Sequence, residues 1–442
     1  MRRCKVKEIK MDLFPHQEKL LGVLGEHDQY AIFWSMRVMK TFPVLLHMTN
    51  LLMAGKATSA LVIAPKSALG AWKRDINKTM GKRRAACSTI TLVNYERVWR
   101  SKEYDRQFDI VILDESHKIA HRQSKQSKFC MKYATRSIYR YILTGTPLGQ
   151  GRLEDLYTQM EFLFPGFFGS YKAFEERYLI TKQLPGTFVK IVLGYKNKDE
   201  LIARIKEVAS TLTLDDIADM PTDPPDNIVI CPRTNMFIQG GIRHGYVKEY
   251  DMIIDNPMTK RMKLREVASG FIIDNEGVTH VISDTKRFAF GELLDEIGNE
   301  KVVVFCEFKQ SVKDVTKELV KRQISYVVLD GEQNDKEIWR WFQNNEHVKA
   351  IVCQYATASQ GIDLYTARQL IFYEPSVSTT LTDQARARIK TGVNPRPCLY
   401  HWLIAKDTIE LKILRQLEKH QDFTVNCLSE WEWASMDNDE DL

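Results

Sequence analysis

Short apolar runs alternate with amphipathic stretches along the first 165 residues. The runs Tyr30 to Trp34, Ala60 to Ala64, Thr89 to Asn94, Asp109 to Leu113 and Tyr139 to Leu143 are the strand candidates. The intervening stretches carry apolar residues at helical spacing, and strand-helix alternation predicts a parallel sheet. From about 166 to 285 the pattern changes to aromatic-rich helical stretches, a hairpin around Leu184-Pro185-Gly186 and a proline-rich break at Met220 to Pro225. Alternation then resumes with Lys301 to Cys306, Ser325 to Leu329, Ala350 to Gln354, Gln369 to Tyr373 and Leu399 to Ile404. The expected organisation is a first α/β lobe over 1–165, a mostly helical insertion and connector over 166–285, a second α/β lobe over 286–425, and a tail over 426–442. A cleft between the lobes is the natural place for a ligand. Four acids among the final six residues mark the tail as a solvated segment.

Length and composition agree with this division, since 442 residues with 44% hydrophobic content can form two or three cores. Eight cysteines are scattered singly without a CxxC pair, which argues against a zinc ribbon or a disulfide framework and for a reducing, cytoplasmic setting. No apolar stretch follows the basic N-terminus and no run of about 18 apolar residues occurs, so neither a secretion signal nor a membrane span is expected. A net charge of +6 is too mild to name a partner. One segment is more basic: Lys118, Arg122, Lys125, Lys128, Lys132, Arg136 and Arg140 recur three or four apart with no acid among them. On one helix they would form a stripe, either a solvated face or a surface for nucleic acid.

The candidate chemistry begins at Val111-Ile112-Leu113-Asp114-Glu115-Ser116-His117, an apolar strand ending in adjacent carboxylates. Asp114 suits a magnesium ion, and Glu115 suits a water that attacks a phosphoryl group. Roughly 70 residues earlier, Ser35-Met36-Arg37-Val38-Met39-Lys40-Thr41 lies between a strand and an apolar helix, the layout of a triphosphate-binding loop. Lys40 would reach the phosphates, Thr41 would join Asp114 on magnesium, and the backbone of Met36 to Met39 would cradle the phosphate chain. Glycine is missing from this loop. Arg37 and Met39 stand where glycines are expected, and Met39 carries a Cβ that would strain a left-handed backbone. The same heptapeptide could simply begin a helix.

Taken together, these segments resemble the Swi/Snf-type helicase-like ATPases of superfamily two, in a compact form of the kind carried by phages and bacteria. Leu13-Phe14-Pro15-His16-Gln17 resembles the family's glutamine motif, implying that Gln17 reads adenine. Leu61 to Ser67, with Trp72 after it, resembles motif Ia, and Val93-Asn94-Tyr95-Glu96 the next contact loop. The resemblance thereby implies that Lys66, Ser67, Asn94 and Tyr95 meet a DNA backbone. Asp114 to His117 is similar to motif II and Leu143-Thr144-Gly145-Thr146-Pro147 to motif III, implying that His117, Thr144 and Thr146 couple the two. In the second half, Val303 to Phe305 resembles motif IV, Ala356 to Leu364 motif V, and Gln384 to Arg388 motif VI. Thr357 and Ser359 are then implied DNA contacts, Gly361, Asp363 and Arg388 nucleotide contacts, and Gln384 and Arg388 catalytic groups. Two RecA-like lobes are the implied fold, with ATP and Mg²⁺ as ligands.

Motif VI departs from the family pattern, which has a further arginine where Thr391 stands. Arg386 projects the opposite way on a helix, and Lys390 lacks the planar guanidinium fork. The implied activity is that of an ATP-dependent translocase on duplex DNA, monomeric, gripping backbone with little regard to sequence. Residues 166–285 could dock a protein partner. The alternative is a degenerate DNA-binding or protein-recruiting clamp that hydrolyses little ATP. A small-molecule P-loop kinase is disfavoured by the second lobe and the absence of an acceptor site.

Overall fold

The computed structural model describes residues 13–80, 89–148, 152–183, 186, 190–213, 216–217, 221–232, 235–333, 337–358, 362–390 and 396–426. Two compact units divide the chain, one formed by Met1–Ala218 with Asp422–Leu442, the other by Asp219–Gln421.

In the first unit the strands are β1 Gln29–Trp34, β2 Ala60–Ala64, β3 Ile90–Asn94, β4 Ile110–Asp114, β5 Tyr139–Leu143, β6 Leu179–Gln183, β7 Lys190–Tyr195 and β8 Ala209–Leu212. Six of them make one parallel sheet in the order β3-β2-β4-β5-β1-β8. The five strands expected in the first lobe all form, within a residue at each end. Ile110, Val111, Ile112 and Leu113 of β4 are fully buried. At about 1.5–3 kcal/mol per buried aliphatic side chain, this anchoring fixes where Asp114 emerges. Helices α1 Pro15–Glu26, α2 Thr41–Met53 and α3 Leu69–Met80 accompany the sheet. Proline at the first position of α1 suits a helix start, where the lost N–H has no intrahelical partner.

β8 is an unanticipated sixth strand. It runs parallel to β1 with Ala31 opposite Ala209 and Trp34 opposite Leu212, while Trp34 Nε1 donates to Ser210 Oγ at 2.8 Å. The hairpin expected near 184–186 is formed by antiparallel β6 and β7, with an irregularity at Ile180/Thr181. The basic stripe is not one helix. Its residues are distributed over a 3₁₀ turn at Ser116–Ile119, short helices at Lys125–Cys130 and Tyr133–Arg136, β5, and the turns that carry Arg122 and Lys132. Serine at 124 caps the second of these by accepting from Ser127 N, restarting the helix and breaking the periodicity. Arg140 is buried, donating to the carbonyls of Ser137, Phe162 and Leu163, and Lys132 and Arg136 both pair with Asp105.

The second unit contains β9 Asn227–Cys231, β10 Tyr246–Val247, β11 Met252–Ile253, β12 Phe271–Ile273, β13 Thr279–Val281, β14 Val302–Cys306, β15 Tyr326–Leu329, β16 Ala350–Gln354, β17 Gln369–Phe372 and β18 Leu399–Ala405. Its parallel sheet has the order β15-β16-β14-β17-β18-β9. Residues 235–283 form a small pack of two helices and two hairpins around Ile238, Ile242, Met252, Val267 and Ile272. The stretch read as an insertion and connector thus supplies β8 to one sheet and β9 to the other. The five cysteines among the described residues are free and buried. No described helix is long and apolar enough to cross a membrane.

Candidate nucleotide site

The carboxyl ends of β1, β4 and β5 bring together three segments that lie far apart in sequence, as parallel sheets do at their ligand-bearing edge. After β1, the loop from Ser35 to Lys40 leads into α2. Arg37 has φ 70° and Met39 has φ 54°, so the two residues standing at expected glycine positions do adopt left-handed backbone. That conformation costs about 1–2 kcal/mol for each non-glycine residue. Glu115 has φ 52°, so three of the seven non-glycine residues with positive φ among those described lie at this site. Strain concentrated in one place marks a geometry maintained for a purpose.

Lys40 is buried, and its ammonium lies 3.8 Å from Glu115 Oε1 and 3.5 Å from the Trp34 carbonyl. Thr41 is half-buried at the first position of α2. Asp114 is 6% exposed, and its two oxygens are separately held: Oδ2 accepts from Trp72 Nε1 at 2.8 Å and Oδ1 from Glu115 N at 3.0 Å. Glu115 Oε2 accepts from Thr144 Oγ1 at 3.2 Å and lies 3.4 Å from His117 Nδ1. His117 Nδ1 is in turn 3.0 Å from Thr144 Oγ1, which also accepts from Thr146 N at 3.1 Å. With the Thr144 hydroxyl donating to Glu115, the imidazole must donate from Nδ1. Thr144 and His117 thus contact Glu115, and Thr146 is linked to it through them.

Burial and the neighbouring Glu115 charge push Asp114 above the usual carboxylate range. Burial also acts to raise Glu115, but Lys40, His117 and Thr144 outweigh it and hold this carboxyl below its ordinary value. The adjacent acids are thus driven apart, one kept charged and the other in need of a cation. The donor set fits magnesium, a hard ion commonly held by one or two carboxylates while phosphates and water complete its shell. Asp114 and the Thr41 hydroxyl are the candidate protein ligands. Among the described residues no group of three or more His, Cys, Asp or Glu could hold a metal by itself.

Two residues are placed differently from the sequence expectation. Tyr95, expected beside a DNA backbone, is 1% exposed and points inward, its hydroxyl donating to the Asp114 carbonyl at 2.8 Å. Its aromatic ring belongs to the core next to Val93 and Val98. Gln17, expected to read adenine, is 2% exposed, with Oε1 accepting from Phe14 N and Nε2 donating to the Met39 carbonyl, both at 3.1 Å. Asn94 caps the short helix at Tyr95–Val98 by accepting from Arg97 N. Lys66 and Ser67 stand exposed after β2. Trp72 is the residue whose part was missed: its sequence context offered only a place after motif Ia, and the fold shows its indole N–H on Asp114.

In the second unit, Gln384 and Arg388 lie one turn apart at the end of the helix Thr379–Ala387. Gln384 is buried, and its Oε1 has no hydrogen-bond partner among the described residues. Arg388 Nη1 donates to the Ile362 carbonyl at 3.2 Å, and its own carbonyl accepts from Leu364 N, which draws the motif V segment with half-buried Asp363 against motif VI. Thr357 is half-buried in the short helix after β16. Arg386 turns away to Asp226 and the ring of Tyr400, and Lys390 pairs with Asp223. Ser359, Gly361 and Thr391 lie outside the described residues.

The SNF2-related domain matches residues 81–220, and the helicase conserved C-terminal domain matches residues 285–390. The chain is 23% identical over 371 residues to the SWI/SNF-related matrix-associated actin-dependent regulator of chromatin subfamily A-like protein 1 of Xenopus tropicalis, covering 79% of this chain and 38% of that protein. It is 22% identical over 410 residues to the human DNA annealing helicase and endonuclease ZRANB3, covering 84% of this chain and 36% of that protein. The chain thus spans less than two-fifths of either relative. A solved SWI2/SNF2 ATPase core of Sulfolobus solfataricus in complex with dsDNA has a TM-score of 0.44 and 22% identity, over 97% of this chain and 95% of that one.

Proposed function

This chain belongs to the Swi/Snf-type helicase-like ATPases, and from that premise we propose that it hydrolyses ATP to drive translocation along duplex DNA. The observation that carries the proposal is the arrangement of Glu115, held charged beside Lys40 and tied through Thr144 and His117 to the loop after β5. Glu115 would orient the attacking water and accept its proton. Lys40 would offset charge developing on the γ-phosphate, and the left-handed loop would present backbone N–H groups to the phosphate chain. Asp114 and Thr41 would hold magnesium, which when bound neutralises phosphate charge. Gln384 and Arg388 are proposed as the second unit's contribution to hydrolysis, and the hydroxyls of Thr144 and Thr146 as the relay that reports it.

For DNA, exposed Lys66 and Ser67, together with Asn94 and Thr357, are proposed backbone contacts. Support comes from family membership and from relatives whose names place them on DNA. Such binding weakens steeply with salt and is nearly blind to sequence. Residues 166–285 are proposed as the surface for a protein partner. A clamp with little hydrolysis is the second reading, favoured by the strain at Arg37 and Met39. Phosphate release measured with and without duplex DNA decides between them. Turnover that rises with DNA supports the motor, whereas tight DNA binding with no turnover establishes the clamp.

A further inference from the structure

We infer that His16 and Gln17 hold the phosphate loop in its left-handed shape, compensating for the absent glycines. This rests on the reading of the loop as a nucleoside triphosphate site. Arg37 and Met39 sit at φ 70° and 54° with side chains that favour relaxing out of that region. The carbonyls of the two residues around the second strained position are both captured from α1. His16 Nε2 donates to the Val38 carbonyl at 3.2 Å, which fixes the proton on Nε2, and Gln17 Nε2 donates to the Met39 carbonyl at 3.1 Å.

A trans peptide points its C=O and the following N–H in opposite directions. Tying Val38 and Met39 carbonyls to α1 therefore aims the N–H groups of Met39 and Lys40 away from α1, in the inward-turned arrangement that an anion cradle requires. His16 is itself positioned by stacking on Phe14, with ring centroids 5.8 Å apart, and by Trp34 at 5.5 Å. From the other side, Gly145 closes on the loop: a Cβ there would meet Met36 N at 3.3 Å.

Gln17 is 2% exposed, with Oε1 accepting from Phe14 N and Nε2 donating to the Met39 carbonyl, so it is a positioning residue of the loop in this chain.

The test measures displacement of a fluorescent ATP analogue from the full chain by ATP, GTP and inorganic tripolyphosphate in the presence of Mg²⁺. Gln17→Leu and His16→Ala should each weaken all three ligands by about tenfold, as expected for losing one hydrogen bond to a strained loop. In a background carrying Arg37→Gly and Met39→Gly, the same changes should cost less than about threefold, because glycine removes the need for the brace. A purely structural role for α1 would not give that rescue. If Gln17→Leu alters the ATP-to-GTP ratio but leaves tripolyphosphate unaffected, the inference is overturned while the triphosphate site stands. Undiminished losses in the glycine background would overturn it as well. No displacement by any of the three from the unaltered chain would overturn the proposed function and this inference together.

Discussion

The two units repeat one scaffold and spend it differently. In chain order, β1, β2, β3, β4 and β5 occupy the same relative positions in the first sheet as β9, β14, β16, β17 and β18 in the second, with β8 and β15 as single additions. The correspondence extends to side chains. Tyr95 opens the short helix after β3 and donates to the Asp114 carbonyl at 2.8 Å; Tyr355 opens the short helix after β16 and donates to the Glu374 carbonyl at 2.9 Å. Both acids are buried at the same edge of their sheets and both are pushed above the usual carboxylate range, by burial first. Around Asp114 the chain adds a strained loop, Lys40 and a second carboxylate. Around Glu374 it adds the Ser311 hydroxyl and Glu307 N–H, both donating to the carboxylate. The scaffold places an acid at this point; the neighbours decide whether it serves chemistry or closes a core.

The largest expected separation between the units is in catalysis. Glu115→Gln should lower DNA-stimulated phosphate release by about 10² to 10⁴-fold while nucleotide binding persists, and Glu374→Gln should leave release within about twofold. Equal losses in both variants, measured at saturating ATP, would abolish the distinction drawn here.

The next effect is on stability. Glu374 is held at about 7, chiefly by burial. A carboxyl raised above its unfolded value binds its proton in the folded state first, so stability is greatest below the unfolded value and falls as pH rises through the window up to about 7. Relative to Glu374→Gln, the unaltered chain should lose up to about 3 kcal/mol between pH 4.5 and 7.5 in urea unfolding. A flat difference across that range refutes the assignment.

A smaller effect distinguishes how the first acid is held. Trp72→Phe keeps the buried ring but removes the donor to Asp114 Oδ2, and should weaken Mg²⁺ dependence of nucleotide binding by about threefold to tenfold with binding in EDTA unchanged. Loss in both conditions would mean that Trp72 only fills the core. Smallest of all, Tyr95→Phe and Tyr355→Phe should each cost about 1 kcal/mol in unfolding, in step with one hydrogen bond to a buried carbonyl. Markedly unequal costs would break the equivalence of the two tyrosines.

Much of this was legible from the chain. Buried parallel strands are written as short, mostly apolar runs, and ten of the twelve strands in the two six-stranded sheets follow from that signal. The two that escaped are β8, whose Ala-Ser-Thr-Leu is short and half polar, and β9, which lies directly after a proline-rich break. Absent glycines foretold strain, and Arg37 and Met39 carry it. The spacing of Gln384, Arg386 and Arg388 on a helix anticipated that Arg386 faces away. What could not be read were distances across the fold. Trp72 lies 42 residues from Asp114, and nothing in its own neighbourhood reveals the indole bond. Tyr95 carried the signature of a surface contact, yet packing turned it inward. The basic stripe kept a helical period over a segment whose backbone is broken by a serine cap.

The neighbours of β1 have a bearing on how the protein is made. β1 is translated well before either neighbour, since β5 follows at Tyr139–Leu143 and β8 only at Ala209–Leu212. The residue that begins the phosphate loop, Ser35, donates its N–H to Leu212 at 2.7 Å. A nascent chain therefore carries an apolar strand with a bare edge for some 175 residues of synthesis, about 9 to 35 s at ordinary bacterial and eukaryotic elongation rates. Completion of the loop waits on a strand encoded beyond the hairpin, so a fragment that stops at 165 ends with β1 unpaired on that side. Such long-range closure is slow and prone to capture by other chains.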